Sequence, residues 1–346
     1  MMGQPGKDSN QPYPDVRSAF MLTLFAMLAA AFTGVAFIDF GLLAAVGIGQ
    51  AIGVGAVATM GAKRVAEPQA ERLGLRALDL KSVPVILCLA PAVLLVSELD
   101  NFAADWSGTP SAIEVSAERS DGDAFDEESS DSAFETDYDP QEDPQEDPQE
   151  GQEEGQEEAR KTPDAREGED DVDEFELMTP LIDPDDPWSL LSAFIVMVGI
   201  SPVVEEFLFR GVIQQGLVQR LGLLRGVTMV ALLWTLLRPA PIAGFTRFFA
   251  AAVASFGLGW ALGIVRIATR SILGSILLAA IWAAIGLGSV ALEGRMELPG
   301  MNVQGTHLPW SVTIASALLV GWAGWMIYKE AEERFAAENR KSPKNQ

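Results

Sequence analysis

The sequence predicts an all-α membrane protein, a polytopic bundle of about eight helical spans interrupted by a disordered acidic segment. Three observations carry that reading. Mean hydropathy is positive at +0.19 while the formal net charge is −24, and strongly acidic chains are ordinarily hydrophilic, so the two properties must sit in different places. The charge is indeed segregated: positions 98–186 hold 34 acidic and 4 basic residues, and the remainder holds 14 acidic against 20 basic. That remainder, finally, breaks into apolar runs close to the ~20 residues needed to cross ~30 Å of hydrocarbon.

The runs follow in order. Residues 18–38 and 40–60 form the first two spans, with only Asp39 charged between them. The first is about twice as long as the ~7–15-residue core of a signal peptide and flows into the second, so it reads as a retained helix. Residues 83–96 make a third, shorter span that can be extended towards Leu99. Past the acidic segment come 188–217, 227–237 (the shortest), 242–265, 271–292 and 310–328. The chain therefore divides into N-terminal spans at 1–97, an acidic low-complexity loop at 98–187, a helical core at 188–292, and a last span with its tail at 293–346.

Basic residues in short loops set orientation, whereas acidic ones contribute little. With the N-terminus inside, 16 Lys and Arg fall on the cytoplasmic side and only Arg238, Arg247 and Arg295 on the other. Both termini are thus expected inside, in the cytoplasmic membrane, with the acidic loop outside. That loop contains the tandem units Gln141-Glu-Asp-Pro144 and Gln145-Glu-Asp-Pro148. Rich in like charge and poor in aromatic residues, it cannot bury enough surface to offset its ordering entropy, so it is expected to be a disordered, self-repelling spacer.

Several functions are excluded or weakened. A nucleic-acid binder needs a basic footprint, which this chain lacks. One Cys and one His allow neither an intrachain disulfide nor a multi-histidine zinc site, and no metal or cofactor is expected. Gly49 and Gly53 stand in GxxxG spacing inside an apolar run with no strand before it, so close helix packing is the reading rather than a phosphate loop. Cys88 reads as a small buried hydrophobe. His307, in the loop before the last span, reads as a surface or interfacial residue. The partner that follows directly from composition is the lipid bilayer, with a membrane protein or peptide substrate as a further candidate.

The chemistry concentrates in the fourth span, at Ser201-Pro-Val-Val-Glu205-Glu206-Phe-Leu-Phe-Arg210-Gly211. A charge at mid-span costs about 2.5–3.5 kcal/mol on insertion scales, so such residues face the bundle interior and find partners. Glu206 and Arg210 stand at i,i+4 in the favourable order and can pair on one face. Glu205 points about 100° away, without a local partner. Pro202 removes a backbone donor just before the pair. Residue types alone leave two readings open: a water-activating carboxylate beside a helix break, or a salt bridge locking helices together.

This segment resembles the EExxxR motif of the CPBP family of intramembrane proteases, which are related to CAAX prenyl proteases and to bacteriocin-processing or immunity proteins. Residues 259–273, with Gly259, Gly263, Thr269, Arg270 and Ser271, resemble the family's glycine-spaced helix and its Thr-Gly-Ser-Leu turn. The resemblance covers roughly 188–287. It implies a helical bundle in which the first glutamate and a histidine activate water, while a later histidine and asparagine stabilise the tetrahedral intermediate. Carried across, the first motif falls on Glu205, Glu206 and Arg210. The second falls on Trp234-Thr-Leu-Leu-Arg238, with Arg238 at the histidine position; the third places Ala279 and Ala283 at the histidine and asparagine positions. No shift recovers the histidines, since His307 is the only one in the chain.

Arginine cannot accept a proton from water. Placed beside Glu205, it would favour the ionised carboxylate and lower its basicity. Alanine offers nothing to an oxyanion, and one such donor is typically worth about 2.7–4 kcal/mol. The expected protein is therefore a CPBP-like pseudoprotease whose charged cluster has a structural or binding role. An active glutamate-dependent endopeptidase with a rearranged site, and a small transporter or channel subunit, are the alternatives. The topology can be checked with single cysteines in a Cys88→Ser background. A cysteine at Ser130 should label only from outside and one at Ser342 only from inside; labelling of position 130 from the cytoplasm alone would overturn the orientation.

Overall fold

A computed structural model describes residues 12–107, 182–238, 244–303 and 305–341. Most of the acidic segment, expected to be disordered, lies outside the described residues. Among those residues every regular element is helical, and eight principal helices form the bundle: α1 Val16–Ala36, α2 Leu42–Ala62, α3 Leu80–Ser107, α4 Pro187–Leu221, α5 Leu223–Leu237, α6 Phe245–Thr269, α7 Ile272–Ala291 and α8 Trp310–Lys341. Seven are long and apolar enough to cross a membrane; α5, with 15 residues, is shorter. The protein is an integral membrane protein with an all-α, polytopic fold. The third helix continues past Glu98 to Ser107, so the first residues of the acidic segment belong to it.

Local sequence explains where the helices begin and end. The Asp15 carboxylate caps α1 by accepting from the Ser18 N–H at 2.8 Å. Asp186 does the same for α4 through Trp188 and Ser189, with Pro187 at the first helical position, where its missing N–H costs nothing. Gly222, at φ +85°, reverses the chain between α4 and α5. Between α6 and α7 the left-handed residue is Arg270, at φ 56°, in the place where the resembled turn has glycine. Ser271 then caps α7 through the Leu273 N–H at 3.2 Å.

Close approach of α1 and α2 depends on Gly49 and Gly53. A Cβ on either would come within 2.6 Å of the backbone of Ala29 or Ala30, so the glycines let the two helices touch main chain to main chain. Helix α6 lies against α3, α5, α7 and α8, and the largest cluster of buried apolar side chains includes Leu208, Phe209, Trp234, Leu262 and Leu278 from α4–α7.

Contacts between loops show that the helices alternate in direction. At one end, Arg220 at the end of α4 donates to the Pro12 carbonyl. At that same end, the loop between α2 and α3 meets the α6–α7 turn, through Ile272 N–H to the Gly74 carbonyl at 3.0 Å and Arg266 to the Arg72 carbonyl at 3.1 Å. Those two loops share an end only if α5 serves as a return limb between α4 and α6. The short helix is thus the eighth traverse of the bundle.

At the opposite end the α7–α8 loop is fastened to α3. Ser97 and Asn101 both donate to the Gly300 carbonyl, and the Leu308 N–H donates to Glu98 Oε2 at 2.9 Å. The His307 ring lies between two carboxylates, Nδ1 2.9 Å from Glu98 Oε1 and Nε2 2.8 Å from Asp105 Oδ2. Hydrogen bonding to Asp105 is the largest influence and raises its pKa above the ordinary 6.5; desolvation opposes it, and the bond to Glu98 adds to the rise. The raised value means the folded state holds this proton more tightly than the unfolded one. The stabilisation is therefore complete below about pH 6.5 and is lost as pH rises through the folded value. Thermal unfolding in detergent should show the melting temperature falling by a few degrees across that window, and the fall should vanish in His307→Gln. A wild-type curve as flat as the variant's would refute the linkage.

Candidate functional site

Two carboxylates lie at the junction of α4, α5 and α6, and each has its own cation. Glu206 Oε1 accepts from Arg210 at 2.8 Å, and this pair is enclosed, with the side chains 1% and 0% exposed. Arg210 also donates to the Gly259 carbonyl of α6 at 2.8 Å, and its guanidinium lies 5.1 Å from the Trp234 ring centre on α5. Glu205 Oε2 accepts from the Trp234 indole N–H at 3.0 Å and from Arg238 at 2.9 Å. Unlike Arg210, Arg238 is 44% exposed, and its guanidinium also stacks over Trp234 at 4.3 Å. One indole therefore meets two cations and a carboxylate.

The chain reaches this arrangement through local features. Pro202 is the second residue of the short α-helical stretch Ser201–Glu206, which is flanked by π-helical stretches Phe194–Ile200 and Phe207–Ile213. Wide turns of this kind tend to mark functional sites, because they offset side-chain directions within one helix. Across the interface, Gly259 and Gly263 leave their carbonyls open to α4: the first receives Arg210 and the second receives Gln214 at 2.7 Å. A Cβ on Gly259 would lie 2.8 Å from Trp234, and one on Gly263 would lie 2.7 Å from Val227. Both glycines are what lets α5 close on α6.

The structure brings Glu205, Glu206, Arg210 and Arg238 together. Glu205, whose partners lie off its own helix, finds Trp234 on α5 and Arg238 just past its end. Ala279 and Ala283 stand one turn apart on α7, half-buried, where they present methyl groups. One turn before Ala279 is Ser275, fully buried, with its hydroxyl donating to the Ile272 carbonyl at 3.0 Å. His307 makes its bonds with Glu98 and Asp105 of α3 instead. Sequence reasoning did not assign the Trp234 N–H as a donor, nor Gln214 as a member of the cluster. The second had a signal: 206, 210 and 214 are polar at successive fourfold spacing in an otherwise apolar stretch. Among the described residues, no three His, Cys, Asp or Glu side chains are grouped as a metal would require.

Residues 187–285 match the family model described as type II CAAX prenyl endopeptidase Rce1-like. The match spans α4, α5, α6 and most of α7, the helices that carry the cluster, and it makes this part of the chain CAAX-protease-like, of the CPBP kind. No curated protein and no solved structure matches the chain.

Burial separates the two ion pairs energetically. Breaking a pair enclosed like Glu206–Arg210 strands a charge and typically costs about 3–5 kcal/mol, whereas removing both members together costs far less. The Glu205–Arg238 pair is open at the arginine but buried at Glu205, which is 7% exposed, so loss of Arg238 leaves the carboxylate with the Trp234 N–H as its remaining donor. Glu206→Gln and Arg210→Leu should therefore each destabilise strongly, with partial recovery in the double variant, while Arg238→Leu, which leaves Glu205 its indole donor, should cost less than either. Denaturation of detergent-solubilised protein by mixed micelles reads this directly. Additive losses at 206 and 210 would show that the two residues do not act as a pair.

Proposed function

We propose that this CAAX-protease-like membrane protein has lost peptidase activity and uses its glutamate cluster as a fixed polar joint between α4, α5 and α6, in a structural or binding role towards a membrane protein or peptide. The observation that carries the reading is the pairing of Glu205 with Arg238. A general base needs a free lone pair aimed at water and a pKa suited to taking its proton. Here Glu205 Oε2 already accepts from a guanidinium and an indole. Both donors occupy that oxygen, so its lone pairs are turned to protein groups rather than to a water. The histidine that the resemblance would place there is replaced by Arg238, and the chain's sole histidine is bound to two carboxylates of α3.

On the other side of the expected site, Ala279 and Ala283 provide no hydrogen bond to a developing oxyanion. Loss of one donor costs about 2.7–4 kcal/mol, so the absence of both, together with a blocked base, leaves little of a hydrolytic rate. We also place both termini in the cytoplasm and the protein in the cytoplasmic membrane. The distribution of basic residues supports this, as does the alternation of eight helices, which puts the start of α1 and the end of α8 on one side.

The decisive experiment is peptide hydrolysis by the purified full chain in proteoliposomes, with a prenylated CAAX-type peptide as probe. The expected result is no cleavage above that of Glu205→Gln protein. Hydrolysis by the wild type that disappears in Glu205→Gln would overturn the proposal and establish an active protease with a rearranged site.

A further inference from the structure

A groove of about 680 Å³ runs along α1 and shares no lining residue with the glutamate cluster. Its wall is a single stripe of α1, Met21, Phe25, Leu28 and Phe32, at spacings of four, three and four residues. All four side chains are exposed. The helix buries a different stripe, Ala19, Thr23 and Ala26, so these large apolar groups are left facing outward. Val57 and Met60 of α2 form the other wall. At one end the groove is closed by two arginines, Arg17 at the start of α1 and Arg64 just beyond α2. Both are exposed, and among the described residues neither lies within 4 Å of a carboxylate.

The two ends of the groove ask for different chemistry in one molecule. Arg17 to Phe32 is 15 residues of helix, about 22 Å, which exceeds one leaflet of a ~30 Å hydrocarbon core. A free anion would satisfy the arginines but leave the apolar wall uncovered. A zwitterionic lipid would cover the wall but bring its own cation against two guanidiniums. Charge and length together select a lipid with net negative charge.

We propose that the groove binds an anionic phospholipid, its phosphate held between Arg17 and Arg64 and one acyl chain lying along Met21, Phe25, Leu28 and Phe32. The site is independent of any peptidase activity, since none of its residues belongs to the 187–285 segment. Two basic residues at a membrane surface favour an anionic headgroup by at least about tenfold.

Native mass spectrometry of the full chain provides the test. Phosphatidylglycerol and phosphatidylcholine of identical chains are titrated against wild type, Arg17→Gln/Arg64→Gln, and a control, Arg225→Gln/Arg340→Gln, that removes two exposed arginines elsewhere. The expected result is about tenfold preferential retention of phosphatidylglycerol, abolished in the first double variant and kept in the control. Leu28→Trp, which fills the groove without altering charge, should weaken retention as well. It serves as the reading variant if the melting temperature shows the arginine variant to be unfolded. Equal retention of both lipids, equal loss in the control, or displacement by inorganic phosphate at matching concentration would overturn the assignment.

Discussion

The enclosed ion pair between Glu206 and Arg210 is the constraint around which the core is arranged. Neither side chain has access to water, and each charge would be prohibitive in hydrocarbon without the other. Satisfying Arg210 then requires a carbonyl from a neighbouring helix, here one on α6. Gly259 meets that need, and the same glycine admits Trp234, whose indole completes the environment of Glu205. A single i,i+4 pair is thereby tied to a carbonyl 49 residues later and to an aromatic residue on a third helix.

Much of this was legible in the sequence. Charge segregation and apolar runs gave the helices, and the i,i+4 spacing of Glu206 and Arg210 gave their pairing, because both are local properties of a periodic chain. Arg238 could be aligned with Glu205 only through the family resemblance. Less accessible were relations that depend on how helices approach one another. The indole N–H of Trp234 reads from sequence as a bulky apolar group; only its position against α4 turns it into a hydrogen-bond donor. Similarly, the sequence places the end of the third helix near Glu98, since acidic residues resemble the start of a solvated loop. Glu98 is nonetheless 5% exposed, because it accepts from the Leu308 N–H and faces the His307 ring. A carboxylate paired across 209 residues of sequence leaves no local signature.

The two ends of the bundle are held by unlike chemistry. At the end carrying Arg266 and Arg270, backbone carbonyls of the α2–α3 loop receive arginine and serine donors, and Gly74 makes the space: a Cβ there would lie 2.2 Å from Arg266. At the other end carboxylates of α3 hold the α7–α8 loop through an imidazole and an N–H. One set of contacts is insensitive to pH near neutrality; the other responds to it.

The shortness of α5 has a consequence for the surrounding lipid. Fifteen residues rise only about 22 Å, some 8 Å less than the hydrocarbon thickness they face, and Leu224, Leu232 and Leu236 are exposed along the helix. Such a mismatch is met by local thinning of the bilayer and by headgroups drawn inward. The thinned annulus would lie beside the end of α5 that bears Arg238. Glu205 would then be separated from the polar boundary by one guanidinium, and the membrane itself, through its thickness, would tune how wet that carboxylate becomes.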